Sequence, residues 1–127
     1  MSIYEDETRS RIFYDKYWGR QLDDEAFFKA IKTFVQLIPN HEKRATVVRE
    51  IIRDLNEIGD AVKLTTWRFW GSSIFLVIDS ETHKVDVRLI DFGSCDLNEH
   101  GVLGSDYDKG FVDGLENLKR AFLDTVP

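Results

Sequence analysis

The first residue that could carry chemistry is Asp91, a carboxylate that follows an alternating apolar run. The run reads KVDVRLIDFG over residues 84–93, and a flexible glycine, Gly93, ends it. Carboxylate oxygens bind Mg²⁺, which in proteins usually lies between one or two carboxylates and phosphate oxygens. Asp91 is therefore the leading candidate for a metal ligand beside a phosphorylated molecule. The residues alone leave a second interpretation open, in which Asp91 only caps a turn.

Two adjacent hydroxyls, Ser72 and Ser73, stand before a second apolar run, IFLVI at residues 74–78. Hydroxyl groups at the entry of a strand could contact a ligand. They could equally satisfy backbone groups nearby, as serine side chains often do. Both interpretations stay open at this point of the sequence.

Other groups that commonly react are poorly placed for chemistry. His41, His83 and His100 have no metal-ligand spacing with one another or with Cys95. Cys95 has no candidate base close to it in the sequence, so a nucleophilic thiol is not expected. The chain contains neither a G-x-x-x-x-G-K-[ST] loop nor a G-x-G-x-x-G run, the two glycine-rich patterns that hold phosphates.

Asp91 and the two serines would be positioned by a β-hairpin. Residues 72–79 and 84–90 predict two strands, and the polar residues between them, SETH, predict the turn. Apolar and charged side chains alternate in the second strand, so one of its faces should lie in a core and the other in water. The remaining elements are expected to cover this hairpin.

Apolar residues at helical spacing predict three helices: residues 24–38, 41–62 and 108–124. Asp23 or Asp24 is expected to cap the first helix. Asp106 or Asp108 is expected to cap the third. Gly114 inside the third helix suggests a close approach by another group, and packing against the hairpin is the favoured interpretation. The basic residues of the second helix predict a solvated face, with anion binding as the alternative.

The flanking segments complete the order of elements. Residues 1–10 are polar and charged and are expected to form a flexible N-terminus. The aromatic segment 11–18 predicts a short strand before a turn at Gly19, with packing on the helices favoured over an aromatic ligand platform. Residues 64–70 predict a further strand or the approach to one, and residues 94–106 predict a loop. The resulting order predicts an α+β architecture with the antiparallel hairpin at its centre.

The composition indicates one modest domain. The chain has 127 residues, of which 43% are hydrophobic, and this is enough for a core. Its net charge of −6 argues against nucleic-acid binding through bulk charge, but a few local basic side chains could still hold a phosphorylated small molecule. A single cysteine, no apolar stretch of about 20 residues and no signal-peptide pattern predict an intracellular protein without a membrane span, in the cytoplasm and/or nucleus.

Three segments gain weight when they are taken together and in order. Residues 67–74 read WRFWGSSI, residues 87–93 read VRLIDFG and residues 108–118 read DKGFVDGLENL. In this order they resemble the C-terminal half of the inositol polyphosphate kinase family. That family has an S-S-L motif on a strand, an I-D-F-[AG] motif on the next strand and a D-x-G-[YF]-x-x-G-L-x-x-L helix at its end. Ile74 replaces the leucine of the first motif, and residues 14–22 are similar to the segment that leads into the family's helices.

The resemblance implies a C-lobe-like portion of a fold related to protein kinases, with the hairpin packed by three main helices over residues 11–127. It also implies ATP and Mg²⁺ as cofactors and an inositol phosphate as the substrate. Asp91 would then be the catalytic residue that binds the Mg²⁺ bridging the ATP phosphates. Ser72, Ser73 and Ile74 would line the nucleotide side of the cleft. Loss of Asp91 should be severe, because catalysis of phosphoryl transfer is mostly positioning and charge neutralisation.

Part of the family pattern is missing. The signature P-x-x-x-D-x-K-x-G is absent, because neither Pro39 nor Pro127 begins it, and the lobe that closes over ATP has no counterpart. Ser94 and Cys95 stand where some members carry a lysine after D-F-G. Little or no activity is therefore expected of the isolated chain as a partial kinase domain. The alternative function is a non-catalytic, kinase-derived interaction or scaffold module, whose partner chain covers the face left by the missing lobe.

Overall fold

The computed structural model of the protein describes residues 1–5, 8–99, 104 and 106–127. The strands are β1 (Ser2–Glu5), β2 (Ser10–Phe13), β3 (Trp67–Arg68), β4 (Ser73–Ile78), β5 (Val85–Ile90) and β6 (Asp96–Leu97). The helices are α1 (Lys16–Arg20), α2 (Asp24–Gln36), α3 (His41–Lys63) and α4 (Lys109–Leu123). The pairs β1–β2, β3–β6 and β4–β5 are all antiparallel, so the described residues have the α+β architecture that the sequence predicts.

The predicted central hairpin is confirmed as β4 and β5. Its register places Ser73 opposite Ile90 at the open end of the hairpin. Asp79 closes the other end, because its carboxylate accepts hydrogen bonds from the backbone N–H groups of Glu81 and Thr82 at 3.0 and 2.6 Å. The Thr82 hydroxyl donates to the same oxygen at 2.8 Å. This local network is the usual way in which an aspartate stabilises a tight turn.

The two faces of the hairpin have different surroundings. On the inner face Val87 is buried, and Leu76, which lies opposite Val87, is half-buried. On the outer face Phe75 and Val77 remain 53% and 42% exposed. Successive side chains of a strand point to opposite faces, so the unbroken apolar run of β4 supplies both the core and an apolar outer surface.

Helices α2, α3 and α4 supply the rest of the core. Each begins at a side chain that accepts a backbone N–H of its first turn, and these N-caps are Asp23, Asn40 and Asp108. The core cluster joins the three helices to β5 and consists of Val35, Ile38, Val47, Val48, Ile51, Leu55, Val87, Leu115 and Phe122. Burial of this apolar surface is the main force that holds the hairpin on the helices.

The first residues contain a strand that the sequence did not predict. Strand β1 pairs with β2, and Ile3 in β1 is only 3% exposed. The terminal amino group of Met1 donates to the carbonyl of Tyr14 at 2.8 Å. Backbone pairing and the buried isoleucine place β1 in the fold, while the flexibility of residues 1–10 stays a prediction. Residues 6–7 lie outside the described part of the chain.

The aromatic segment 11–18 is a strand only in its first part. Strand β2 ends at Phe13, and helix α1 follows, so the predicted strand is wrong beyond that point. Asp15 caps this helix by accepting the backbone N–H of Trp18 at 2.8 Å. The expected turn at Gly19 is a helical position instead, because the capping aspartate nucleates a helical turn before the glycine is reached.

Gly114 does not mark a close approach within the described residues. A Cβ placed on Gly114 would meet no heavy atom within 4 Å, because the residue lies on the exposed face of α4. The helices α3 and α4 approach each other closely at Gly59 of α3 instead. A Cβ placed on Gly59 would be 3.6 Å from Cδ1 of Leu115 in α4. The expectation for Gly114 was therefore wrong, and the close approach falls on a glycine that the sequence did not single out.

The segment 94–106, predicted as a loop, contains the short strand β6. In its pairing with β3, Trp67 lies opposite Leu97. This pairing also confirms a strand within residues 64–70, although it is only 2 residues long. His100 and residues 101–103 lie outside the described part. No described helix is long and apolar enough to cross a membrane.

Candidate functional site

The open end of the hairpin brings together the residues singled out for chemistry. Strand β4 begins where β5 ends, so Ser72 and Asp91, which flank the Ser73–Ile90 pair, lie side by side. The Asp91 side chain is exposed, whereas Ser72 is half-buried. The register of the hairpin therefore brings the serine motif and the D-F-G motif, which are distant in sequence, next to each other.

A direct hydrogen bond joins these two residues. The Ser72 hydroxyl donates to the backbone carbonyl of Asp91 at 2.9 Å. The Sγ atom of Cys95 lies 3.2 Å from the Ser72 hydroxyl oxygen. Because the single hydroxyl hydrogen is directed at the Asp91 carbonyl, the Cys95 thiol is the donor in the second contact. Ser72 thus satisfies local backbone, as one of the two sequence interpretations proposed.

Asp91 itself has an unusual backbone conformation. Its φ is +66°, in the left-handed region that residues with a side chain seldom adopt. The chain then folds back in a tight turn, in which the N–H of Cys95 donates to the carbonyl of Phe92 at 3.1 Å. Asp91 therefore ends β5 and turns the chain, while its carboxylate stays in solvent.

A second turn leads into β4 beside this one. The N–H of Ser72 donates to the carbonyl of Phe69 at 3.2 Å, and Gly71 has a φ of +72°. A hydrogen bond between the first and fourth residues, with positive φ at the third, is the pattern of a type II turn, which requires glycine at that position. A Cβ on Gly71 would also lie 3.6 Å from Cβ of Ser94. The two turns are thus packed against each other.

Asp108 connects this site to helix α4. Its Oδ1 accepts the N–H of Phe111 at 3.0 Å, and its Oδ2 accepts the N–H of Phe69 at 2.9 Å. The rings of Phe69 and Phe111 also pack together, with centroids 5.4 Å apart. One carboxylate therefore caps α4 and fixes the segment that enters β4, so the third sequence motif supports the other two.

The remaining predicted site residues differ in exposure. Ser73, the first residue of β4, is exposed at the open end of the hairpin. Ile74 is half-buried and packs against the core cluster. A contact between Ser73 or Ile74 and a nucleotide stays a prediction.

The donor set at Asp91 fits a metal ion that arrives with phosphate. Within the described residues no group of three or more histidine, cysteine, aspartate or glutamate side chains could hold an ion. Mg²⁺ does not need such a cage, because it keeps several waters and is often bound by one or two carboxylates plus substrate phosphates. A single exposed carboxylate next to a tight turn therefore suits Mg²⁺ bridged to a nucleotide, but not an isolated metal site.

Exposed aromatic side chains lie in the two turns at the open end of the hairpin, at Trp70 and Phe92, and in β3, at Trp67. Trp67, Trp70 and Phe92 are 43%, 52% and 55% exposed. An aromatic side chain offers a large apolar contact area, and clusters of them on a surface mark binding regions. The sequence shows their apolar character but not their exposure, which depends on how the turns present them.

A cavity of about 800 Å³ opens at the opposite, turn end of the hairpin. It lies between the β1–β2 pair, the end of α2 and the turn, with Arg11 and His83 among its polar lining residues. Sequence reasoning missed it, because the three segments that line it are far apart along the chain.

The chain is similar to kinases of inositol phosphates. The sequence model of the inositol polyphosphate kinase family matches residues 1–123. Inositol hexakisphosphate kinase 3 of Mus musculus is 30% identical over 93% of this chain, and the Homo sapiens protein of that name is 26% identical over 98%. An uncharacterized inositol polyphosphate kinase of Schizosaccharomyces pombe is 26% identical over 97%. In the same order, the chain spans 35%, 37% and 16% of the lengths of these relatives, which is at most slightly more than a third.

Proposed function

The chain belongs to the inositol polyphosphate kinase family, and we propose that it forms the C-lobe part of a kinase that phosphorylates inositol phosphates with ATP and Mg²⁺. The observation that carries this proposal is the position of Asp91, an exposed carboxylate at the end of β5 beside the turn that leads into β4. The match over nearly the whole chain supports the reaction class, and the local geometry supports the metal ligand.

In this proposal Asp91 is the residue that holds Mg²⁺ at the open end of the hairpin. When bound, the ion neutralises charge on the phosphates during transfer. Ser73, which is exposed next to Asp91, lines the nucleotide side of the cleft, and the half-buried Ser72 and Ile74 flank it along the chain. Asp108 acts at a distance, because it fixes the chain at Phe69 before the first serine.

Mg²⁺-dependent nucleotide binding tests the assignment of Asp91. Isothermal titration of the chain with ATP, with and without Mg²⁺, should show binding that requires the ion and that Asp91→Asn weakens strongly, to an affinity that is still measurable at high nucleotide concentration. Asp86→Asn is the matched control, since Asp86 is an exposed carboxylate on the same strand and pairs with Arg88 at 2.8 Å. Equal binding by the chain and Asp91→Asn would overturn the assignment.

Turnover is expected mainly of a longer protein. The signature P-x-x-x-D-x-K-x-G is absent from these 127 residues, so the chain alone should transfer little or no phosphate to a panel of inositol phosphates. Robust turnover by the isolated chain would show that the signature is dispensable, and would overturn this part of the proposal.

The second candidate function is a non-catalytic interaction module. The exposed outer face formed by Phe75 and Val77, together with Trp67, Trp70 and Phe92, favours it, because apolar surfaces of this kind bind partner chains. A partner chain, or the lobe that the family carries in addition, would cover this surface. Mg²⁺-ATP binding that is absent, together with concentration-dependent association that Phe75→Lys reduces, would favour the module over the kinase.

We also propose that the protein acts inside the cell, in the cytoplasm and/or nucleus. The support is compositional: one cysteine, which fits a reducing compartment, and no apolar stretch long enough to span a membrane. Imaging of a fluorescently tagged chain in its source cells tests this location, and a secreted or surface signal would contradict it.

A further inference from the structure

The conformation of the Asp91 peptide determines where the Asp91 carboxylate points. At a φ of +66°, the backbone turns sharply between the last residue of β5 and Phe92. Aspartate enters this region more readily than most residues, but the conformation persists only where the surroundings hold it. The contacts of this one peptide are therefore part of whatever Asp91 does.

Ser72 provides such a contact across the hairpin. Its hydroxyl donates to the Asp91 carbonyl at 2.9 Å, so a side chain at the start of β4 is tied to the backbone at the end of β5. The Cys95 thiol, which lies 3.2 Å away in the turn that follows Asp91, fills an acceptor position of the same hydroxyl. The hydroxyl is thus held between the peptide on one side of the turn and the thiol on the other.

This geometry leaves the Ser72 hydroxyl with no hydrogen to give to a ligand. A serine hydroxyl has one hydrogen, and that hydrogen is already directed at the Asp91 carbonyl. Direct donation to a nucleotide phosphate would require this bond to break. The neighbouring Ser73 is exposed and is better placed for direct contact.

We propose that Ser72 is a positioning residue, which holds the Asp91 peptide in its left-handed conformation and so aims the carboxylate at the metal-binding position. This inference rests on the kinase function proposed above and assigns Ser72 a role through Asp91 instead of a contact with the nucleotide. Two consequences distinguish it from direct contact. The Asp91 conformation should depend on Ser72 without any ligand, and the effect of Ser72 on binding should disappear when the Asp91 carboxylate is absent.

The first test is NMR of the free chain. Backbone shifts and couplings report φ at Asp91 in the parent chain, in Ser72→Ala and in Ser72→Thr. Ser72→Ala should shift Asp91 away from positive φ or average it, while Ser72→Thr, which keeps the hydroxyl, should restore the parent value. Ser80→Ala, the same change at an exposed position in the turn of the same hairpin, is the control and should leave Asp91 unchanged. Asp91 at an unaltered φ in Ser72→Ala would overturn the proposal.

The second test is a double-mutant cycle on Mg²⁺-ATP affinity with Ser72→Ala, Asp91→Asn and both together. Ser72→Ala should weaken binding by about fivefold, the effect expected for one lost hydrogen bond, and Ser72→Thr should recover it. In the Asp91→Asn background Ser72→Ala should add nothing. An equal loss in both backgrounds would show direct ligand contact and would overturn the positioning role.

Failure of the kinase function is distinguishable from failure of this inference. If the parent chain binds no Mg²⁺-ATP, the kinase function of the chain is contradicted, whereas the NMR comparison still decides whether Ser72 holds Asp91. Thermal melting of each variant verifies that Ser72→Ala has not simply unfolded the hairpin. If Ser72→Ala unfolds, Ser72→Cys replaces it in both tests. The cysteine keeps a weak donor at the same place, so its effect on the φ of Asp91 and on Mg²⁺-ATP affinity should be intermediate. A parent-like φ in Ser72→Cys, together with unfolding of Ser72→Ala, would make Ser72 a stability residue and would overturn the proposal.

Discussion

Asp108 and Phe69, 39 residues apart, are joined by a hydrogen bond of 2.9 Å from the Phe69 backbone N–H to Oδ2 of the Asp108 carboxylate. The other oxygen of the same carboxylate caps α4 through Phe111. The last helix is therefore fixed to the segment that enters the central hairpin. Since the turn at Gly71 and the hydroxyl of Ser72 follow directly, this bond sets the start of the candidate site.

Replacing Asp108 should destabilise the protein more than a simple helix cap would. Loss of an N-cap costs about 1 kcal/mol, and the unsatisfied Phe69 N–H adds a further loss of about 1 kcal/mol. Asp108→Ala should thus lower the free energy of unfolding by roughly 2 kcal/mol in urea titrations. Asp106→Ala is the control, because Asp106 is exposed and Asp108, not Asp106, is the N-cap of α4. Equal effects of the two substitutions would contradict the cross-link.

The core depends on Leu55 of α3, which is fully buried among the helices and β5. Truncating a buried leucine removes apolar burial and leaves a cavity, so Leu55→Ala should cost about 2–5 kcal/mol. Leu64, at the end of α3, is 90% exposed. Leu64→Ala should therefore stay within about 0.5 kcal/mol of the parent chain. Thermal or urea unfolding measures both, and a large loss for Leu64→Ala would mean that this residue is covered in solution.

The sequence predicts the helices α2, α3 and α4, the hairpin, and Asp23 and Asp108 among the candidate caps, because each follows from periodicity or from local side-chain chemistry. It does not predict the contact between Ser72 and Asp91. That contact requires the register of β4 against β5 and the positive φ of Asp91, and neither is encoded in the spacing of the two motifs. The N-terminal strand was missed for a similar reason, because its ordering depends on pairing with β2 and on one buried side chain, Ile3.

Asp79 should make the hairpin sensitive to acid. The backbone N–H of Thr82, and then its hydroxyl, hold the pKa of the Asp79 carboxyl below its ordinary value of 3.8, because both donate to the ionised form. A carboxyl with a lowered folded-state pKa contributes stability above its unfolded pKa and loses it as the pH falls through the folded value. Stability measured by urea unfolding should therefore fall below about pH 4, and Asp79→Asn should reduce this dependence.

A variant that removes only one of the two Thr82 donors measures how much each contributes to the acid response of Asp79. Thr82→Val removes the hydroxyl but leaves the backbone N–H, which is the larger cause of the lowered pKa. Its acid sensitivity should lie between those of the parent chain and Asp79→Asn. If Asp79→Asn and the parent chain lose stability in parallel as the pH falls, the turn network does not contribute and another carboxyl controls the acid response.

Two helical glycines should respond in opposite ways to a large side chain. Gly114 of α4 is exposed and a Cβ there meets nothing within 4 Å, so Gly114→Leu should stabilise the helix by up to about 1 kcal/mol through helix propensity. Gly59 of α3 is buried, and a Cβ there would already lie 3.6 Å from Leu115. A leucine at Gly59 must displace the packing between α3 and α4, so Gly59→Leu should destabilise by about 1–3 kcal/mol. Urea unfolding of the two variants measures the difference.

A destabilising effect of Gly114→Leu would contradict the exposure of this position. It would mean that another surface, in a second copy or a partner chain, packs against α4 at Gly114, as the close approach expected from the motif would require.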